Sequence, residues 1–379
     1  MEREVVYRTP KELRRRKNAV DVTLPVIMVL LLQCGLLTLF SATFYKAVST
    51  SGDSLLEVKR QLIGIGLGAV LMFITSRIPY HFWQRPKIVI LGLAISFVLL
   101  VLVIIPGVGV YLNGSRRWLN IAGMSFQPSE LAKIASVLYL ASTLSYRWKL
   151  VEKLWTGIVP LLIVPAVMFL VILQQPNLST AGSIMIVAVL MMLIAGAPWK
   201  HLSLMGAGGL VVGFIYAWTE PYRRERLLSF RDPFAQMSDE GYQLAQSLIA
   251  IGSGGLFGRG LGQGRQKYAY LPYPESDFIF AIIGEDFGLF GCIVVILLFL
   301  AFTFAGMRIA LNAPDRYGCL LAAGLTTLIS VQAFINIGVV VGVMPTTGLP
   351  LPFFSAGGTS ISLLMAAVGI ILNVSRGNS

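Results

Sequence analysis

The sequence predicts an all-α polytopic membrane protein of about ten transmembrane helices with one large extracytoplasmic loop. Three observations carry that prediction. Hydrophobic residues make up 56% of the chain and charged residues 13%, against roughly 45–50% and about 25% in a soluble domain. Apolar runs of the ~17–25 residues that a bilayer requires recur along nearly all 379 residues. Lys and Arg fall in short clusters between those runs, as positive-inside loops do. A nucleic-acid protein would gather the formal charge of +12 on one basic face, so no nucleic-acid partner is expected.

Residues 1–23 form a basic tail with Lys11, Arg14, Arg15, Arg16 and Lys17. The apolar run that follows is long enough to span and lacks a clear small-residue cleavage site, so it reads as a retained signal-anchor. Spans are expected near 24–45, 60–78, 87–105, 128–145, 157–174, 179–196, 201–218, 277–306, 317–342 and 359–374. Their even number puts both termini on one side. With the termini in the cytoplasm, Arg77, Arg85, Lys87, Arg147, Lys149, Lys153, Lys200, Arg308, Arg316 and Arg376 all lie inside, and the short loops around 175 and 343–358 carry no basic residue. Residues 24–379 therefore read as one transmembrane domain in the bacterial cytoplasmic membrane, with an extracytoplasmic loop at about 219–276. That loop is rich in Arg, but long loops translocate largely regardless of charge. No internal repeat is evident.

Cys34, Cys292 and Cys319 lie in or beside apolar runs without metal-ligand spacing and read as packing residues. His81 and His201 stand at span ends beside Arg, Lys and Trp, where interfacial side chains are expected.

Four segments could carry chemistry. The first runs from Asn113 through Arg116, Arg117, Trp118 and Asn120 to Gln127-Pro128-Ser129-Glu130 and Lys133. Pro128 suits a first helical turn, and Glu130 and Lys133, three apart, share a face and can pair. Charge inside a span marks a functional candidate, although a structural ion pair fits the same spacing. Arg117, in an outer loop beside Trp118, is the better ligand. The second is Tyr222-Arg223-Arg224-Glu225-Arg226, where Arg223 and Arg226 would share a helical face and suit phosphate oxygens, or else anionic lipid head groups.

The third is the Gly-rich stretch from Gly252 to Lys267, which fits no nucleotide-binding pattern. Tightly turned backbone lining a polar cavity is the alternative, since such backbone must be shielded from lipid. The fourth is Pro272-Tyr273-Pro274-Glu275-Ser276-Asp277, where two prolines lead into a span and place Asp277 in its first helical turn. There the helix N-terminus favours an ionised carboxylate and desolvation opposes it, so Asp277 is either a reactive base or an N-cap.

Together these segments closely resemble the SEDS family (shape, elongation, division and sporulation) of peptidoglycan polymerases. The matching residues are Arg117-Trp118, Gln127-Pro128-Ser129-Glu130 with Lys133, Gly241-Tyr242-Gln243 with Gln246-Ser247, Gly252 to Leu256, Asp277 to Phe280, and Asn336-Ile337-Gly338 through Pro352-Phe353-Phe354-Ser355 to Thr359. Gly262-Gln263, Arg265-Gln266-Lys267 and Tyr270-Leu271-Pro272 look more like the division and sporulation branch, FtsW and SpoVE, than the elongation branch, RodA. The sequence departs from the family pattern at Asn177, where Asp is common, at Ser179, at Ala356 and at Pro274-Glu275-Ser276. Asn177 cannot serve as a catalytic carboxylate.

The resemblance implies polymerisation of lipid II, an undecaprenyl-diphosphate-linked disaccharide peptide, on the outer face of the membrane, in cell division. It assigns Asp277 as the base that takes the acceptor hydroxyl proton. Arg117, Trp118, Glu130, Lys133, Arg223, Arg226, Gln263 and Lys267 are the substrate-binding candidates. A diphosphate leaves without a proton once its charge is neutralised, so one base plus cations suffices. A divalent cation, Mg²⁺ or Mn²⁺, could bridge the diphosphate, its ligands unassigned; no nucleotide or organic cofactor is expected. Implied partners are a class B penicillin-binding transpeptidase and other divisome proteins. The competing functions are a lipid II flippase, with Glu130, Lys133, Glu285 and Asp286 along a path, and a non-enzymatic division scaffold.

Overall fold

The structure is a computed structural model that describes residues 21–51, 53–112, 115–121, 124–219, 224–225, 229–235, 240–268 and 270–377. The basic tail through residue 20, Arg223 and Arg226 lie outside the described residues.

The chain runs α1 (Thr23–Ser51), α2 (Leu56–Arg77), the short α3 (His81–Gln84) and α4 (Pro86–Ile104). Strands β1 (Gly109–Leu112), β2 (Ser115–Ile121) and β3 (Met124–Phe126) lead into α5 (Pro128–Tyr146). After a 3-10 turn and a π turn come α6 (Val159–Leu173), α7 (Leu178–Ile194) and α8 (Trp199–Thr219). Helices α9 (Glu240–Gly254), α10 (Ile279–Leu311), α11 (Arg316–Val340) and α12 (Gly358–Ser375) complete the order. Each of the ten apolar runs is helical. Among the described residues 7 helices are long and apolar enough to cross a membrane. Of the other three runs, α5 buries the charged Glu130 and Lys133, and α7 has 17 residues.

Helices α11 and α12 form the centre, with 72% and 67% of their most apolar windows buried against 22% for α2 and α4. Close approach is bought with glycine where α2 meets α12: a Cβ at Gly64 would lie 2.6 Å from the Gly358 carbonyl oxygen. Ser362 Oγ then donates to the Gly64 carbonyl at 2.8 Å.

Both ends of the described chain lie at one end of the bundle. There the Asp21 backbone donates to Ser375 Oγ at 3.3 Å, Arg308 pairs with Asp21 at 2.5 Å, and the Arg316 guanidinium sits 3.7 Å over Trp148. Tyr80 donates through its hydroxyl to Asp315 and its backbone to Asn373. Burial, and then Asp315 beside it, push the Tyr80 hydroxyl well above its ordinary pKa, so it remains a donor. His81 faces the same carboxylate at 3.3 Å.

Two elements at the opposite end differ from the sequence expectation. A three-stranded antiparallel sheet, β1-β2-β3, fills the connection before α5. Helix α9 interrupts the segment expected to be loop, packing Leu244, Ala245 and Ala250 inward while Ser247 Oγ donates to the Val340 carbonyl at 2.8 Å.

Candidate active site

Asp277 lies in the turn that precedes α10, and Phe278 holds the N-cap position without a side-chain cap bond. The expected place in the first helical turn is thus corrected by two residues, and the N-cap position falls to Phe278. Several bonds fix the turn from below. Asn336 Nδ2 donates to the Asp277 carbonyl at 2.7 Å and to the Leu349 carbonyl at 2.7 Å. Ser355 Oγ donates to the Ser276 carbonyl at 2.5 Å, and the Ala356 backbone donates to the Glu275 carbonyl at 2.8 Å. Ser276 Oγ donates to Asp277 Oδ1 at 2.9 Å, which orients the carboxylate.

Arg117 approaches from β2. The register against β1 pairs Val110 with Trp118 and Tyr111 with Arg116, so Arg117 is the extra residue of a β-bulge, a feature that re-aims a side chain. Arg117 Nε donates to the Gln175 carbonyl at 3.1 Å and Nη2 to the Pro176 carbonyl, so the guanidinium holds the α6–α7 connection. Its Nη1 faces Gly348: a Cβ there would lie 3.7 Å from Arg117 Nη1 and 3.5 Å from Asp277 Oδ2. The two groups therefore meet over one glycine, although 58 residues separate Arg117 from Gln175 alone. Asn177, where the family commonly has Asp, caps α7 by accepting from the Thr180 backbone at 3.2 Å.

Glu130 and Lys133 pair at 2.7 Å in the first turns of α5, with side chains only 3% and 1% exposed. Lys133 also donates to Gln332 Oε1, Gln332 Nε2 donates to the Pro350 carbonyl at 2.9 Å, and Ser360 Oγ donates to Glu130 Oε2 at 3.1 Å. Gln332 and Asn336 stand one turn apart on α11. The ion pair and the Asp277 turn are thereby tied to one stretch, 349–350.

The Gly-rich stretch splints a broken helix. Helix α10 departs from helical geometry at Gly288 (φ 69, ψ −163), which leaves carbonyls before the break and N–H groups after it without helical partners. The backbones of Arg259 and Gly260 donate to the carbonyls of Glu285 and Asp286 at 2.9 and 3.0 Å. Beyond the break, the Leu289 and Phe290 backbones donate to the carbonyls of Gly255 and Leu256 at 2.9 and 3.1 Å. Lys267 is buried, and its ammonium donates to Asp286 Oδ1 at 2.9 Å and Ser41 Oγ at 2.7 Å.

Among the residues expected to bind substrate, Arg117 stands with Asp277, while Glu130 and Lys133 are enclosed beneath them. Lys267 belongs to a separate buried cluster. Trp118 is half-buried on β2 beside the bulge, and Gln263 is exposed in the Gly-rich stretch. Sequence reasoning passed over Gln332 and Ser41. Their signal was a polar residue inside an apolar run, which by itself names no partner. Among the described residues no group of three or more His, Cys, Asp or Glu could hold a metal ion.

The family model of cell cycle proteins that covers FtsW, RodA and SpoVE matches residues 22–379. The chain is 43% identical over 363 residues to stage V sporulation protein E of Bacillus subtilis, covering 95% of this chain and 98% of that protein. To a protein of Geobacter metallireducens named "Probable peptidoglycan glycosyltransferase FtsW" it is 39% identical, covering 92% and 93%. Among solved structures, it is similar to a chain from work on structural coordination of polymerization and crosslinking by a peptidoglycan synthase complex. That likeness has TM-score 0.76 and 27% identity, covering 95% and 98%. The rod shape determining protein RodA of Thermus thermophilus is similar at TM-score 0.66 and 27% identity, covering 95% and 98%.

Proposed function

The chain belongs to the FtsW, RodA and SpoVE family of cell cycle proteins, and on that premise we propose that it is a peptidoglycan glycosyltransferase that polymerises lipid II in cell division. The observation that carries this reading is the meeting of Asp277 Oδ2 and Arg117 Nη1 over Gly348. A carboxylate and a guanidinium on one small residue supply what the transfer needs. The acceptor hydroxyl oxygen bonds to the anomeric carbon of the donor, its proton passes to Asp277, and the carbon–oxygen bond to the diphosphate breaks. The electron pair leaves on undecaprenyl diphosphate, whose charge the Arg117 side chain offsets. Gly348 keeps a side chain out of the space where these groups face the sugar.

A divalent cation here would have the Asp277 carboxylate as its protein ligand and would supply positive charge to offset the diphosphate, consistent with the few protein carboxylates that Mg²⁺ typically uses. The site faces the extracytoplasmic side and both termini the cytoplasm, a reading supported by the basic residues gathered at the Asp21–Ser375 end. A class B penicillin-binding protein is the crosslinking partner, with other divisome proteins around it.

The test supplies lipid II to the purified protein with a class B partner and resolves the products by length. Glycan strands are expected; movement of labelled lipid II across vesicles without strand formation would favour a flippase. Orientation is checked with Tyr270→Cys in a background lacking native cysteines, because Tyr270 is 56% exposed. An impermeant thiol reagent should reach it from outside, and labelling only from the cytoplasm would reverse the topology.

A further inference from the structure

Lys267, Asp286 and Ser41 are 4%, 1% and 3% exposed. Lys267 Nζ lies 2.9 and 3.2 Å from the two Asp286 oxygens and 2.7 Å from Ser41 Oγ, and Ser41 donates in turn to Asp286. Those contacts use the ammonium's donors within the protein, so direct phosphate binding by Lys267 does not fit this geometry.

What the cluster closes is informative. Lys267 and Asp286 are 19 residues apart, and Asp277 sits near the middle of the chain between them. The ion pair therefore pinches off a loop that carries the carboxylate at its far side. Ser41, on α1, fastens the pinch to the helical bundle across 226 residues of sequence. Next to it, Glu285 accepts from the backbones of Arg265 at 2.6 Å and Gln266 at 3.2 Å, so at the end of the outer part of α10 Glu285 grips the 265–266 backbone while Asp286 grips the Lys267 side chain. The segment Ile279–Phe287 becomes a strut with the clamp at one end and the Asp277 turn at the other. Closing a loop lowers the freedom of everything inside it.

We propose that Lys267, Asp286 and Ser41 form a buried clamp that closes the 267–286 loop and so positions Asp277 against Arg117. Lys267 is then a positioning residue that acts on the transferring groups through the strut. This inference rests on the polymerase reading for its kinetic consequence and on geometry alone for its structural one.

The experiment compares the wild type with Lys267→Met/Asp286→Leu and with Ser41→Ala, each full-length and reconstituted with the class B partner. Removing both buried charges together avoids stranding one of them, which is the damaging case. Polymerisation of lipid II and hydrogen exchange across 265–280 are both measured. In the double variant kcat should fall by roughly ten- to a hundredfold, the scale of a misplaced catalytic group. KM should stay within about twofold, because ground-state binding is untouched, and exchange across 265–280 should quicken. Ser41→Ala keeps both charges, so it should move kcat and exchange in the same direction by less, and it carries the test if the double variant does not fold. A wild-type kcat, unchanged exchange, or a rise in KM alone, which would mark Lys267 as a substrate ligand, overturns the clamp. An inactive wild type would sink the polymerase reading instead, and the exchange comparison would then judge the clamp.

Discussion

Asn336 donates from one amide nitrogen to the carbonyls of Asp277 and Leu349, both at 2.7 Å, and so stitches the turn before α10 to the stretch that leads into α12. Asn336→Ala removes both bonds and strands two carbonyls. Each buried group left unsatisfied costs about 1–3 kcal/mol. Thermal unfolding should shift down accordingly, and turnover should fall with it because the Asp277 backbone loses its support. Unchanged stability and unchanged glycan synthesis would show that the stitch is dispensable.

Glu130 and Lys133 should be energetically coupled. At 3% and 1% exposure, either partner left alone keeps an uncompensated charge, a loss of roughly 3–5 kcal/mol when burial is complete. Glu130→Gln and Lys133→Met should each destabilise the protein strongly, and the double substitution by less than their sum. A double-mutant cycle in thermal stability with strictly additive effects would argue against the pairing.

The break in α10 should tolerate no side chain. Gly288 has φ 69, and a Cβ there would lie 2.6 Å from the Leu256 carbonyl oxygen. Gly262 has φ 81 but nothing within 4 Å of its Cβ position. Gly262→Ala therefore carries only the left-handed backbone penalty of about 1–2 kcal/mol, whereas Gly288→Ala must also displace the splint. Hydrogen exchange should rise across 255–262 in the second variant alone. Equal losses of stability in the two would mean that the splint is loose.

The sequence makes the helical bundle readable because the bilayer demands apolar runs of fixed length, and the ten runs stand out from polar loops. Glu130 with Lys133 is readable for a related reason: three residues of helix bring them together. Partners far apart in sequence are not. Nothing in the neighbourhood of Lys267 points to Ser41, 226 residues away, and Lys267 accordingly reads as a phosphate ligand until its partners are seen. Arg117 and Asp277 each carry a motif, but only the fold sets both against Gly348. The sheet at 109–126 escapes sequence reasoning because its strands are short and its pairing is set by neighbours. Helix α9 escapes because its buried face, Leu244, Ala245 and Ala250, is too small to announce a span.

In the proposed reaction the Asp277 carboxylate takes the proton of the acceptor hydroxyl. Asp277→Asn keeps the side chain's size and leaves intact the carbonyl that Asn336 holds at 2.7 Å, yet an amide cannot accept that proton at neutral pH. Purified wild type and Asp277→Asn would be given lipid II with the same class B partner, scoring glycan length and thermal stability side by side. The variant should unfold within a few degrees of the wild type and polymerise at least about 10²–10⁴-fold more slowly, the span usually lost with a general base. Substantial glycan synthesis by a stably folded Asp277→Asn protein would contradict it.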